Sequence, residues 1–300
     1  MKKKNISVTF VLSLSIFSSC LRLDANLFNN DNTIKQYLYD DYKGEVDFIL
    51  DSSYKIPPNL ITEFTLNSRA DEENNSTVIY AVYIGDMSKI STDTVIVYNH
   101  GTRDHNDFYW QRAKLMANTG WKNRFGVLMI DYRGYGLSQG KPTEEGMYAD
   151  VTAGLQWLKL KGLSNERLVM YGFSLGSAPT CELAANSGMM TPSKIILEAP
   201  FASSAVMVQD AAKLNLPASY FTDLKIDNAE EIKKIKKPFL WMHGIDDSFL
   251  SITSHGEIIF KNYSGTNGVP VRITGAEHGT IPQTLGFREY NNTLLNFILK

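Results

Sequence analysis

Short apolar runs alternate with longer helix-like segments from about residue 61 to the end of the chain, and this alternation restricts the fold more than any other feature. The runs Thr94–Tyr98 and Gly126–Ile130 are almost entirely apolar, as strands buried on both faces of a parallel sheet are. The segment Glu144–Lys161 instead repeats apolar residues at three- and four-residue steps, the period of a helix that buries one face. Because strands that alternate with helices form βαβ units, the pattern predicts an α/β fold with a mostly parallel sheet.

Applied to the whole chain, the same criteria predict eight strands with helices between them. The predicted strands are Thr62–Leu66, Val78–Ile84, Thr94–Tyr98, Gly126–Ile130, Leu168–Tyr171, Lys194–Leu197, Phe239–Met242 and Val269–Ile273. The predicted helices are Phe108–Asn118, Glu144–Lys161, Ser177–Ser187, Ser251–Lys261 and Pro282–Leu299. The first two strands are more polar than the others, which is typical of an antiparallel edge of the sheet.

A length of 300 residues corresponds to about two domains of roughly 150 residues each. Single α/β domains often exceed that size, and the alternation continues to the C-terminus, so we expect residues 61–300 to form one domain. Residues 202–237 interrupt the alternation after the sixth strand with short helical pieces and Pro217. An insertion at that point lies above the strand ends, where open α/β folds bind ligands. We therefore expect a small helical cap or lid there.

Composition excludes several classes of protein. Hydrophobic residues make up 43% of the chain and charged residues 21%, close to an average soluble protein and unlike disordered, collagenous or coiled-coil chains. Thirty basic and 32 acidic side chains give a formal net charge of −2, whereas proteins that bind nucleic acids usually carry a basic excess. We therefore expect no nucleic-acid partner. Two cysteines cannot build a disulfide framework, and Cys181, on an apolar helix face, is expected to be a packing residue.

The N-terminus departs from this average composition. Lys2–Lys4 precede an apolar run from Ile6 to Phe17, and small residues follow up to Cys20. The run is too short to span a bilayer, which takes about 20 residues, whereas a basic start, an apolar middle and a small-residue end are typical of a signal peptide. The cysteine at the cleavage point resembles that of a bacterial lipoprotein signal, although Phe17 stands where Leu is usual. An ordinary cleaved signal peptide is the alternative.

In the lipoprotein interpretation residues 1–19 are removed and the new N-terminal residue, Cys20, carries acyl chains. Residues 20–60 then form a tether and N-terminal extension, and the chain is held to a membrane through lipid. We expect export to the bacterial cell envelope as a membrane-anchored lipoprotein, with a periplasmic or secreted protein as the alternative.

The strongest chemical motif is Gly172-Phe173-Ser174-Leu175-Gly176, which directly follows the predicted strand Leu168–Tyr171 and precedes a predicted helix. In a strand–turn–helix context, Gly-x-Ser-x-Gly places a serine hydroxyl on a sharp turn at the top of a sheet. The glycines allow strand and helix to approach each other around the strained serine. The motif therefore predicts that Ser174 is a nucleophile.

The segment Asp131–Pro142, which reads DYRGYGLSQGKP, closely resembles the segment after strand four in serine hydrolases of the α/β-hydrolase superfamily. From about Val95 to the C-terminus the chain is similar to the abhydrolase-domain type, which includes monoacylglycerol and lysophospholipid lipases and acyl-protein thioesterases. The resemblance implies a mostly parallel eight-stranded sheet with helices on both faces and a small helical cap after strand 6. Residues before about Ile61 are not covered.

The resemblance also implies a catalytic triad in the chain order serine, acid, histidine. A serine hydroxyl needs a base, and an acid must orient that base. His278 follows the last predicted strand and is the expected base. Asp247 follows the strand Phe239–Met242 and is the expected acid, with the adjacent Asp246 and, at the end of the sixth strand, Glu198 as alternatives.

An oxyanion formed during acyl transfer needs preorganised hydrogen-bond donors. The expected donors are the N–H groups of Leu175, directly after the nucleophile, and of Thr102, in the loop after the third strand. We expect His100 and His243 to make structural hydrogen bonds. His255, within a predicted helix, is expected to be a surface or packing residue.

A cluster of four potential metal ligands stands in the same region of the sequence: His100, Asp104, His105 and Asp107. No further ligand pair with metal spacing occurs elsewhere in the sequence, and an oxyanion role already accounts for the loop. We therefore expect neither a metal nor an organic cofactor.

Together these features predict a serine hydrolase that cleaves a carboxylic ester or thioester through an acyl-enzyme on Ser174. A small-molecule or lipid acyl ester is the expected substrate. One alternative is a serine peptidase of the prolyl-oligopeptidase type, although the roughly 40 residues after Cys20 are too few for a propeller domain. The other alternative is a catalytically silent envelope binding protein. Acyl-chain length, leaving group and oligomeric state stay open.

Overall fold

A computed structural model describes residues 27–70, 75–120, 125–186, 188–212 and 222–300. The predicted signal peptide, residues 1–19, and Cys20 lie outside these ranges, and so does the part of the predicted cap from 213 to 221. Within the ranges, no helix has the length and apolar character needed to cross a bilayer.

The centre of the molecule is an eight-stranded sheet with the spatial order β1-β2-β4-β3-β5-β6-β7-β8. Its strands are β1 Ile61–Ser68, β2 Thr77–Ile84, β3 Val95–Asn99, β4 Gly126–Ile130, β5 Leu168–Phe173, β6 Lys194–Glu198, β7 Phe239–Gly244 and β8 Gly268–Ile273. Strand β2 is antiparallel to both neighbours, and all other pairs are parallel. The predicted α/β class and the predicted set of strands are confirmed.

Helices cover both faces of this sheet, as predicted. They are α1 Asn106–Ala117, α2 Glu144–Leu160, α3 Ser177–Ala185, α4 Ser204–Ala212, α5 Asn228–Glu231, α6 Gly256–Asn262, α7 Ile281–Leu285 and α8 Phe287–Leu299. One hydrophobic core joins the sheet to α2 and α3 and contains Val151 and Cys181. The second core joins the opposite face to α1 and α8 and contains Trp110 and Leu294. Cys181 is buried, as its predicted packing role requires.

Two predicted helices depart clearly from the structure: Pro282–Leu299 is divided, and Ser251–Lys261 begins later than predicted. The segment Pro282–Leu299 is divided between α7 and α8 because Gly286 has a φ of +87°, which glycine adopts without steric penalty. Helix α6 begins only at Gly256, because the preceding His255 has non-helical angles of φ −123° and ψ −80°. His255 therefore precedes the helix that was predicted to contain it.

The N-terminal segment from residue 27 to residue 60 packs on the domain, although the sequence indicates a tether. Tyr37, Phe48 and Leu50 are buried in the core beside α1 and α8. The backbone N–H groups of Leu38 and Tyr39 donate to the Asp107 carboxylate over 2.8 and 2.7 Å. The described part of this segment is thus a structural part of the domain.

The described part of the predicted cap is attached to the domain through His255, which is buried. Its Nδ1 accepts the N–H of Ala202 at 3.1 Å, and its Nε2 lies 3.4 Å from the carboxylate of Asp210 on α4. Burial lowers the pKa of His255 from 6.5 to about 4, and the nearby Asp210 offsets only part of that effect. The ring is therefore neutral at neutral pH.

The low pKa of His255 predicts a loss of stability in mild acid. Between about pH 6.5 and pH 4 the unfolded chain binds a proton that the folded chain does not, so the free energy of unfolding falls as pH falls. From about pH 7 to pH 5 we expect His255 to contribute about 2 kcal/mol to this decrease. This contribution is measured by urea unfolding of the wild type and of His255→Asn at several pH values. In the variant the amide oxygen replaces Nδ1 as the acceptor. An equal pH dependence in both proteins would contradict the prediction.

Candidate active site

Ser174 lies on the sharp turn between β5 and α3. Its φ is +52°, a left-handed conformation that is strained for a residue with a Cβ atom. The turn is tight because two glycines flank the serine: a Cβ on Gly176 would clash with the backbone carbonyl of Asn99, and one on Gly172 would clash with the backbone of Gly176. The Ser177 hydroxyl donates to the Ser174 carbonyl at 2.6 Å. These contacts hold the serine at the end of its strand.

The structure brings the three predicted triad residues together in one chain of hydrogen bonds. The distance from Ser174 Oγ to His278 Nε2 is 2.9 Å, and from His278 Nδ1 to Asp247 Oδ2 it is 2.8 Å. Asp247 follows β7 and His278 follows β8, so both loops lie at the same edge of the sheet as Ser174. With the ring proton on Nδ1, the histidine donates to the carboxylate and can accept the serine proton.

The surroundings of Asp247 keep its carboxylate ionised. Burial alone raises its pKa, but hydrogen bonds from His243 and His278 outweigh this effect, so the pKa lies well below its ordinary value. The N–H groups of Phe249 and Leu250 also donate to its Oδ1, at 3.0 and 2.7 Å. His243 Nε2 lies 3.2 Å from Oδ2 and 2.9 Å from the carbonyl of Leu250. His243 thus has the structural role that the sequence predicts.

The two alternative acids have other partners. Asp246 is exposed and accepts the N–H of Gly275 at 2.6 Å. Glu198 is buried and accepts hydrogen bonds from Arg112, from Tyr171 and, at 2.7 Å, from Tyr290. Asp247 is therefore the carboxylate that the structure places against His278.

The loop that carries Thr102 is held by its neighbours on several sides. The Thr102 hydroxyl donates to the carbonyl of Leu27 and accepts the N–H of Asn29 at 3.1 Å. The Thr102 carbonyl accepts the hydroxyl of Tyr135 at 3.1 Å. Both Thr102 and Ser174 line one cavity. The second predicted donor, Leu175, follows Ser174 within the tight turn.

The potential metal ligands of this region have structural partners instead. The His100 ring is buried between Tyr109 and Tyr132, with centroid distances of 5.0 and 4.3 Å, and its Nδ1 lies 2.8 Å from the carbonyl of Gly101. His105 accepts the N–H of Asp107 at the start of α1. Among the residues with described positions, no three His, Cys, Asp or Glu side chains are arranged to hold a metal ion.

Arg112 on α1 is a buried residue of the site that sequence reasoning missed. Its guanidinium contacts the Glu198 carboxylate, lies 3.1 Å from Asp47 Oδ2 and donates to the carbonyl of Gly279 at 2.7 Å. It also lies 3.9 Å from the centre of the Phe173 ring. Burial lowers the pKa of Arg112, but Glu198 and Asp47 outweigh this effect and raise it above the ordinary value. Arg112 thus touches the residues next to Ser174 and His278.

The cavity at Ser174 has a volume of about 610 Å³. Its walls combine the loops that carry Thr102, Ser174 and His278 with aromatic side chains and with the N-terminal segment. The lining residues are Phe28, Asn29, Asp47, Thr102, Arg103, Phe108, Tyr109, Phe173, Ser174, Phe249, His278 and Gly279. The contribution of the N-terminal segment is a second feature that the sequence did not indicate.

Comparison with protein families gives a match over the centre of the chain. A family described as serine aminopeptidase, S33, matches residues 90–233. Alpha/beta hydrolase domain-containing protein 17B of Homo sapiens is 32% identical over 175 residues, which cover 57% of this chain and 56% of that protein. Alpha/beta hydrolase domain-containing protein aho-3 of Caenorhabditis elegans is 29% identical over 172 residues, covering 57% and 49%. The chain thus spans about half the length of these relatives.

Solved structures resemble most of the chain. An esterase of Pyrococcus furiosus has a TM-score of 0.67 at 16% identity, covering 91% of this chain and 97% of that one. An esterase of Exiguobacterium antarcticum has a TM-score of 0.58 at 18% identity, covering 79% and 99%. The chain has the α/β-hydrolase fold. Its sequence is similar to members of the α/β-hydrolase superfamily, as its motifs predict.

Proposed function

We propose that the chain is a serine hydrolase that cleaves carboxylic esters or thioesters through an acyl-enzyme. The observation that carries this proposal is the hydrogen-bond chain from Ser174 through His278 to Asp247, with lengths of 2.9 and 2.8 Å. Its serine lines a cavity of about 610 Å³, within the usual size of small-molecule sites.

In the proposed reaction His278 Nε2 takes the hydroxyl proton as Ser174 Oγ attacks the acyl carbonyl carbon. The resulting imidazolium is stabilised by the ionised Asp247, which also keeps the ring in the required orientation. His278 then donates the proton to the departing alcohol or thiol. In the second half-reaction the same nitrogen deprotonates water, which attacks the acyl carbonyl carbon. The bond from that carbon to Ser174 Oγ then breaks, His278 returns the proton to Oγ, and the acid is released.

The N–H groups of Thr102 and Leu175 are the proposed donors to the oxyanion. The hydrogen bonds of the Thr102 side chain and carbonyl hold its backbone before substrate binds. Such preorganised donors stabilise the tetrahedral intermediate without any rearrangement during the reaction.

A second candidate is the hydrolysis of N-terminal peptide bonds, since the matching family is described as serine aminopeptidase. An aminopeptidase needs an anionic group for the ammonium of its substrate. Asp47 is the only acidic residue among the described residues that line the cavity. Its Oδ2 lies 3.1 Å from the guanidinium of Arg112. Because this charge is already compensated, the cavity favours a neutral ester or thioester.

The decisive experiment is labelling of the purified protein with a fluorophosphonate, together with hydrolysis assays on p-nitrophenyl esters, acyl thioesters and aminoacyl nitroanilides. We expect labelling that Ser174→Ala abolishes and hydrolysis of esters or thioesters. Equal labelling of the wild type and Ser174→Ala would refute the serine mechanism. If the protein hydrolysed only the aminoacyl nitroanilides, the proposed esterase function would be wrong and the aminopeptidase function would take its place.

A further inference from the structure

The N-terminal segment forms one wall of the cavity although it lies outside the family match, which begins at residue 90. Residues Asn29–Asn30 pair as a short parallel strand with Arg103–Asp104, directly after Thr102. The N–H of Gly136 donates to the Asp31 carbonyl at 2.7 Å, so the segment is also attached to the neighbouring loop. The Thr102 hydroxyl also donates to the Leu27 carbonyl and accepts the N–H of Asn29, so these contacts fix the chain on both sides of Phe28.

Phe28 lines two cavities. It is half-buried, packs against the core on the α2 and α3 face, and lines the 610 Å³ cavity that contains Ser174. It also lines a second cavity of about 380 Å³ beside Pro142–Glu145 and Asp223–Lys225. Glu144 and Lys225 are joined there by a hydrogen bond of 2.7 Å from the Lys225 N–H. Phe28 is thus the residue that the two cavities share.

We propose that Phe28 determines the length of the acyl chain that the site accepts, by closing the catalytic cavity against the second one. This inference rests on the proposed ester or thioester hydrolysis. A chain that extends from the carbonyl at Ser174 gains about 0.8 kcal/mol for each methylene that it buries. This free energy corresponds to an increase of about fourfold in kcat/KM for each methylene. The increase stops where the acyl chain reaches the wall of the cavity. Phe28 is this wall.

The test is the kcat/KM of a series of p-nitrophenyl esters from acetyl to palmitoyl, measured on the wild type, Phe28→Ala, Phe28→Leu and Phe28→Trp. The matched control is Ile49→Ala, since Ile49 is in the same segment, is 76% exposed and does not line the cavity. In the wild type we expect kcat/KM to rise with chain length and then stop rising. In Phe28→Ala we expect the rise to continue, so that the ratio of long-chain to acetyl kcat/KM increases at least about tenfold.

Phe28→Trp should end the rise at a shorter chain, and Ile49→Ala should reproduce the wild-type profile. Thermal unfolding of each variant identifies a variant that fails to fold. If Phe28→Ala fails to fold, the test uses the other variants. The chain length at which kcat/KM stops rising should then decrease from Phe28→Leu through the wild type to Phe28→Trp. Superimposable profiles in folded Phe28 variants would overturn the inference. A wild type that neither hydrolyses acetyl ester nor reacts with a fluorophosphonate would instead refute the proposed function.

Discussion

Asp247→Asn is expected to lower kcat about 10⁴-fold while the protein stays folded. The asparagine has nearly the same shape, but its amide cannot stabilise the imidazolium, and its NH₂ group favours the wrong tautomer of His278. The hydrogen bond of 2.8 Å from His278 Nδ1 to Asp247 is the contact that changes. Steady-state kinetics on a short p-nitrophenyl ester, with thermal unfolding as a check of the fold, measures the effect.

Asp246→Asn is the matched control because the two aspartates are adjacent. The Asp246 carboxylate accepts the N–H of Gly275, and an asparagine oxygen can accept the same bond. We expect kcat to stay within about threefold of the wild type. A large loss in Asp246→Asn together with an active Asp247→Asn would show that the adjacent residue is the acid.

The low pKa of Asp247 adds a pH signature to this comparison. Because its folded pKa lies well below the ordinary value, the carboxylate does not titrate where activity is measured. The acid limb of the wild-type activity profile therefore does not report protonation of Asp247. The ionised carboxylate also stabilises the fold above the ordinary aspartate pKa, and this contribution is lost as pH falls towards the folded value.

The residues in contact at the site were predictable because each follows a recognisable strand. Ser174 comes directly after β5, and Asp247 and His278 lie in the loops that follow β7 and β8. The C-terminal ends of parallel strands meet at one edge of the sheet, so residues far apart in sequence come together there. The choice between Asp246 and Asp247 rested on a motif, since adjacent loop residues have no periodicity that distinguishes them.

The rest of the site depends on contacts that no local pattern encodes. In the N-terminal segment the buried residues Tyr37, Phe48 and Ile56 are irregularly spaced, and the elements around them are single turns. Neither strand nor helix periodicity marks such a segment. Arg112 likewise sits in a helix where an arginine usually faces solvent, and its partner Glu198 is 86 residues away. The one sequence signal for a buried cation was Glu198, a carboxylate at the end of the buried strand β6.

Arg112→Met is expected to lower the free energy of unfolding by about 3–5 kcal/mol, because it leaves Glu198 buried without its cation. Arg272→Met is the matched control. Arg272 makes two hydrogen bonds to Glu257, but its side chain is 38% exposed and that of Glu257 is 37% exposed. We expect that substitution to change stability by less than about 1 kcal/mol.

Urea unfolding of the two arginine variants and of Glu198→Gln separates the charge effect from the loss of packing. If the unpaired carboxylate causes the damage, the double variant Arg112→Met, Glu198→Gln should be more stable than Arg112→Met alone. Activity should not return with stability, because the bond of 2.7 Å from Arg112 to the Gly279 carbonyl next to His278 is still missing. Equal losses in Arg112→Met and Arg272→Met would mean that burial does not strengthen this pair. Full activity in a folded double variant would mean that Arg112 does not position the histidine loop.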